Sequence, residues 1–212
     1  MMRIYFFAGI ISILLYSCAN KMKGDLPIYQ PKDFNENLVD VSLRNTETNH
    51  TVSDFELLNQ NGELVTQEDY EDKVYVVDFF FTRCPSICPA MANNMIKIQN
   101  EFIENKEVML LSLSVSPEID SIPVLRKYAD DKGAVDSKWN ITTGKKSHIY
   151  ALARKSYFAV VEQGDGGLQD FIHTPNFILV DKKRQIRGIY NGTEDEEILR
   201  LIQDLRTLTG SK

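Results

Sequence analysis

Cysteine and histidine are both scarce, three of each in 212 residues. So few cysteines exclude a disulfide-stapled scaffold. Basic charge is not in excess either: 24 Lys and Arg stand against 30 Asp and Glu, for a net charge of −6. That balance argues against a nucleic-acid partner. No internal repeat and no low-complexity segment is present, which excludes solenoid and fibrous architectures. The apolar run at the N-terminus is too short for a comfortable membrane span. What remains has an ordinary globular composition, 43% hydrophobic and 25% charged. It is long enough for one domain with a real core.

The first 17 residues carry a single charge, Arg3, followed by an apolar stretch ending in Leu14-Leu15. A basic start, a short apolar run and small residues near a cut site make a secretory signal. Leu15-Tyr16-Ser17-Cys18 resembles the lipobox of bacterial lipoproteins. That resemblance implies cleavage before Cys18 and attachment of lipid to its sulfur. The chain is then expected in the cell envelope, lipid-anchored to a membrane, with its domain facing the periplasm or exterior. The competing reading is a plain or uncleaved signal with an incidental cysteine. Residues 18–45 read as the lipidated cysteine and a polar tether, and residues 46–212 as the domain.

Within the domain, residues 51–58 and 63–66 alternate in polarity around Asn59-Gln60-Asn61-Gly62 and read as a β-hairpin. Residues 74–81, VYVVDFFF, are β-branched and aromatic and read as a central strand buried on both faces. Helical spacing over 90–105 follows. Residues 107–115 form a second buried-strand candidate, and 121–132 a helix capped by Ser121 and closed by Gly133. Then come a short strand or loop at 139–143, a helix at 145–156 and a strand at 157–162. The Gly-rich stretch 164–167 reads as a flexible loop, 176–180 and 185–190 as a hairpin, and 194–208 as a helix capped by Thr193. A parallel βαβ unit followed by an antiparallel hairpin gives an α/β fold, a mixed sheet with helices on both faces. A cysteine pair opening the helix after a central strand is the thioredoxin-like arrangement.

That pair is Cys84 and Cys88, in Cys84-Pro85-Ser86-Ile87-Cys88-Pro89. Pro85 and Pro89 stop the strand ladder, and Pro89 suits the first turn of a helix. The positive end of that helix favours thiolate, so both cysteines are expected to have low pKa values. Two such thiols can cycle through a disulfide or hold a soft metal ion. Of the histidines, His50 is expected on the surface and His148 in a structural role within a helix. His173 precedes the strand at 176–180, and in a thioredoxin-like fold the loop entering that strand faces the cysteine loop. This would make a set of two thiolates and one imidazole. Sulfur favours Cu(I), and an added imidazole helps hold Cu(II). Structural zinc would want a fourth protein ligand, whereas disulfide exchange alone would not need His173.

These residues resemble the Sco/SenC family of copper-handling, thioredoxin-like proteins over roughly residues 51–208. The family's Cys-x3-Cys-Pro is met by Cys84, Cys88 and Pro89, and its distant His by His173-Thr174. Phe80-Phe81-Thr82-Arg83 and Leu113-Ser114-Val115-Ser116-Pro117-Glu118 also match. The resemblance implies that Cys84, Cys88 and His173 are copper ligands. It implies delivery of copper to the binuclear copper site of cytochrome c oxidase subunit II, or reduction of that site's cysteines.

The chain departs from the family pattern at Ser86-Ile87, Ser116 and Ile172, where relatives often carry an acid. Those acids would orient the imidazole or tune the thiols, and without them the thiolates are expected to be more reactive. Thr174-Pro175 stands where thioredoxins and membrane-tethered thiol reductases have a cis-proline, which makes it a candidate cis bond. These features favour the alternative reading, an envelope thiol–disulfide oxidoreductase that acts on other envelope thiol or copper proteins without obligatory copper.

Overall fold

The computed structural model of the chain describes residues 25–36, 39, 41–43, 49–160 and 172–211. The expected signal segment, Cys18 and the Gly-rich stretch lie outside them. Among the described residues no helix is long and apolar enough to cross a membrane.

The domain begins with the hairpin β1 (Glu56–Leu58) and β2 (Leu64–Thr66). A five-stranded sheet is then built from β3 (Val74–Phe80), β4 (Val108–Ser114), β5 (Trp139–Thr142), β6 (Asn176–Val180) and β7 (Ile186–Asn191). Their spatial order is β5-β4-β3-β6-β7. β3, β4 and β5 run parallel, while β6 and β7 are antiparallel to their neighbours. The helices are α1 (Cys88–Glu101), α2 (Ile122–Lys132), α3 (Lys146–Ala151) and α4 (Asp195–Thr209). This is the expected mixed thioredoxin-like sheet with an N-terminal hairpin.

Every residue of β3 is buried, as an apolar run in a central strand requires. Its alternation sends Tyr75, Val77 and Phe79 into one core, with Tyr70, Ile149, Leu152 and Ile178. Val74, Val76 and Phe80 enter the other, under α1, α2 and α4, with Met91, Met95, Leu125 and Leu201. Asp78 shares the parity of this second set, and so does the face that carries Cys84 and Cys88. The edge strand β5 is covered by the hairpin turn. The Gln60 side chain, fully buried, donates to the Trp139 carbonyl at 3.0 Å and accepts from the Ile141 amide at 2.8 Å. A free edge is thereby closed to other chains.

Several local expectations are corrected. Only residues 56–58 of the stretch 51–58 pair as a strand. Val52 instead donates its amide to the Arg184 carbonyl and accepts at its own carbonyl from the Arg184 guanidinium, and the Ser53 amide donates to the Ser156 hydroxyl. The helix at 145–156 is α3 followed by a π-turn, Leu152–Ser156. Residues 157–160 form no strand, and 161–162 lie outside the described residues. α4 starts from Glu194, because the Thr193 hydroxyl donates instead to the Asn191 side chain. The segment assigned to the tether touches the domain. The Tyr29 amide donates to the Ile186 carbonyl, the Arg187 guanidinium donates to the Leu26 and Pro27 carbonyls, and the Phe34 ring lies 4.7 Å from that of Phe158.

Gly192 joins β7 to the region of the site. Its amide donates to the Pro175 carbonyl at 2.7 Å, and its carbonyl accepts from Asn94 on α1 at 2.8 Å. A Cβ there would stand 2.6 Å from the buried Phe177 ring. Gly192→Ala is therefore expected to destabilise the protein by about 1–3 kcal/mol through overpacking, read as a lower urea midpoint at unchanged m-value.

Candidate functional site

β3 ends at Phe80, and the chain turns at once. The Cys84 amide donates to the Phe81 carbonyl at 3.3 Å, which closes a four-residue turn that presents the Cys84 sulfur. Pro85 cannot donate to a ladder, and Cys88 becomes the first residue of α1 with Pro89 behind it. The Cys88 amide points at the Cys84 Sγ, 3.5 Å away. Both thiols are free and buried, at 8% and 5% exposure.

Their electrostatics differ, which corrects the expectation of two low-pKa thiols. Burial alone would raise Cys84, but the Cys88 thiol and the amides of Cys88, Ser86 and Ile87 all favour its thiolate and bring it below the ordinary value. Cys88 moves the other way. Burial raises it, and the adjoining Cys84 sulfur and the nearby Asp78 raise it further. The helix N-terminus thus serves the sulfur that faces its amides, not the cysteine that begins the helix. The pair is polarised, with the thiolate favoured at Cys84 and the thiol at Cys88.

Three residues around the pair escaped the reading of the sequence. Asp78 is buried at 3% exposure, and burial pushes its carboxyl up to about 7 against the opposing hydrogen bond from the Ser112 hydroxyl. The Ser112 oxygen in turn accepts from the Trp139 indole at 2.8 Å. A lone acid inside an apolar strand was the available signal for Asp78. Tyr128 packs on Phe80, and burial first, then the nearby Asp78, Cys88, Cys84 and Asp120, hold its hydroxyl protonated. Asp120 is buried and accepts from the Thr82 hydroxyl at 2.6 Å. Nothing in the local pattern distinguishes it from an exposed loop acid.

His173 lies between two buried neighbours, Ile172 and Thr174, and its own side chain is exposed. The Thr174 hydroxyl donates to the Ala159 carbonyl at 2.6 Å, which fixes this alternation. Among the described residues no three His, Cys, Asp or Glu side chains stand together as a group that could hold a metal. The structure therefore joins Cys84 to Cys88 and leaves His173 outside that pair. No peptide bond among the described residues is cis, so Thr174–Pro175 is trans and the cis-proline argument for a reductase falls away. His50 is half-buried rather than on the surface. Its Nε2 lies 2.7 Å from the Ser156 carbonyl, and its ring lies 4.6 Å from that of Phe158. His148, on α3, accepts at Nε2 from the Glu56 amide at 3.4 Å, a bond that ties the helix to the hairpin.

The SCO1/SenC family model matches residues 44–210. Among solved structures, the chain is similar to a SCO1/SenC family lipoprotein from Bacillus anthracis, at 29% identity and a TM-score of 0.67 over 76% of this chain and 96% of that one. It is similar to BsSco, described as a member of the Sco family of cytochrome c oxidase assembly proteins, at 33% identity and a TM-score of 0.65 over 77% and 95%. It shares its fold with Arabidopsis thaliana ScoI solved with copper bound, at 23% identity and a TM-score of 0.58 over 74% and 98%.

Proposed function

Because the chain belongs to the SCO1/SenC family, we propose that it carries copper on Cys84, Cys88 and His173 in the assembly of cytochrome c oxidase. The copper is cargo, given to the binuclear copper site of subunit II, or the protein keeps that site's cysteines reduced. One observation carries this reading: two free sulfurs one turn apart, with the Cys84 sulfur seated against the amides that open α1. Two adjacent sulfur donors suit a soft monovalent ion, so the donor set fits copper. Cys84 would supply the first thiolate, and Cys88 would give up its proton on binding. His173 would complete the set by turning its exposed ring toward the pair. A related lipoprotein supports an envelope location, with Cys18 as the lipidated residue.

The test is transfer. The copper-loaded protein is mixed with a copper-free soluble domain of oxidase subunit II, and the absorption of the filled binuclear site is followed. Stoichiometric appearance of that signal is expected from the loaded protein and not from the Cys84→Ser variant. Retention of all copper on the protein would overturn delivery.

The asymmetry of the pair favours a second reading in the same site, thiol–disulfide exchange. The Cys84 thiolate would attack a client disulfide and release one client thiolate. The Cys88 sulfur, after losing its proton, would attack the mixed disulfide, releasing the second client thiolate and leaving Cys84–Cys88 oxidised. A Cys88→Ser variant would arrest this sequence as a covalent adduct through Cys84.

A further inference from the structure

The turn that presents Cys84 is held from outside its own segment. Phe81, Thr82, Arg83 and Cys84 form it, closed by the bond from the Cys84 amide to the Phe81 carbonyl. Thr82 occupies a corner. Both of its donors end on one carboxylate, the amide on Asp120 at 3.2 Å and the hydroxyl at 2.6 Å. Asp120 is 1% exposed. A buried carboxylate is costly unless donors surround it. They do here: the Ser114 hydroxyl at the end of β4 supplies a third.

The loop that carries Asp120 is itself closed. The Asp120 and Ile119 amides both donate to the Ser116 carbonyl at 2.9 Å, and the Ser116 amide donates to the Ser114 hydroxyl at 3.1 Å. Ser114 ends β4, which pairs with β3 up to Phe80–Ser114, and the Val115 amide donates to the Phe80 carbonyl at 2.8 Å. The carboxylate therefore connects a rigid part of the sheet to the corner of the turn, two residues before the reactive sulfur.

We propose that Asp120 is a positioning residue for the cysteine site. Through Thr82 it sets where the Cys84 sulfur sits relative to the amides of α1. It touches neither sulfur nor cargo. The proposal rests on the reading of Cys84 as the working thiol and a copper donor. Groups that hold the groups touching a metal commonly change affinity by about 10–100-fold when removed.

Three variants test it: Asp120→Asn, Thr82→Val and Thr82→Ser, with the double variant Asp120→Asn/Thr82→Val. Two quantities are read on the reduced protein, Cu(I) affinity against a competing chelator and the rate of Cys84 alkylation by iodoacetamide at pH 7. Unfolding midpoints are read alongside. Asp120→Asn and Thr82→Val are each expected to slow alkylation and weaken Cu(I) binding by about ten-fold. Thr82→Ser keeps the hydroxyl and is expected to stay within about two-fold of the parent on both. The double variant is expected to be no worse than the worse single one, because one interaction is lost in both. Parental alkylation in Thr82→Val, or a loss in Asp120→Asn that Thr82→Val does not share, would overturn the proposal. If Asp120→Asn fails to fold, Thr82→Val against Thr82→Ser decides. If the parent takes up no Cu(I), the copper reading fails, and the alkylation rates still judge Asp120.

Discussion

Asp78→Asn is expected to gain about 4 kcal/mol of stability relative to the parent between pH 4 and pH 8. Asp78 sits in the middle of the central strand, on the face that carries both sulfurs, with 3% of its surface exposed. Burial raises its carboxyl from the ordinary aspartate value of 3.8 to about 7, despite the Ser112 hydroxyl that favours the charged form. Between these two values the folded protein holds a proton that the unfolded chain has already released. The unfolded state then binds fewer protons, so stability falls as pH rises across that window. Below it both states are protonated and nothing is lost; above it the loss is constant. Each pKa unit corresponds to about 1.4 kcal/mol, so a shift of this size gives about 4. Asn removes the charge and can still accept from Ser112, and any cost of its unpaired amide, about 1–3 kcal/mol, is the same at every pH and leaves the pH-dependent difference unchanged. Urea unfolding of parent and variant from pH 4 to 8 measures this. A difference that does not change with pH would contradict it. An acid retained at such a cost fits a site that uses its charge, since Asp78 also acts on Cys88 and Tyr128.

Iodoacetamide at pH 7 is expected to modify Cys84 at least ten times faster than Cys88 in the reduced protein. The thiolate is the reacting species. Cys84 draws three amides and a thiol donor toward its sulfur, whereas burial, its partner's sulfur and Asp78 keep Cys88 protonated. Raising the pH is expected to bring Cys88 modification up only at higher pH than Cys84 modification, because Cys84 is held below the ordinary thiol value and Cys88 above it. Mass spectrometry of peptides after a timed quench reads both rates. Equal rates would show that α1 does not distinguish the two sulfurs. The Cys88→Ser variant separates the contributions: a serine hydroxyl still donates, so Cys84 is expected to stay reactive.

The centre of the fold was legible because strong local signals agree with the tertiary structure there. A seven-residue apolar strand can hardly be anything but central, and prolines on either side of the second thiol leave a turn and then a helix start. The hairpin of β6 and β7 and helix α4 were legible for similar reasons. Residues 157–160 were not. Tyr157, Phe158 and Ala159 are apolar and buried, as in a strand, but Phe158 has a positive φ of 49°. The Ala159 amide bonds back to Ala153, and its carbonyl is taken by the side chains of Thr174 and Asn176. An apolar run reports burial, not where the backbone bonds go. The polarity of the thiol pair was hidden for a different reason. Position in a helix identifies Cys88 as its first residue, but the amides there are aimed at the sulfur one turn earlier. His173 was singled out by the logic of the site, and the structure places it exposed between the buried Ile172 and Thr174.

The account turns on whether two sulfurs and a histidine act as one copper site. The most direct measurement is copper binding by the reduced protein beside a His173→Ala variant, using a competing Cu(I) chelator and the Cu(II) absorption spectrum. The account predicts one copper per chain, with affinity at least ten-fold weaker in the variant and a changed Cu(II) spectrum. Unchanged binding in the variant would remove His173 from the site. Absence of stoichiometric copper on the parent, with Cys84 and Cys88 still cycling through a disulfide, would contradict the account and leave a thiol–disulfide exchange protein.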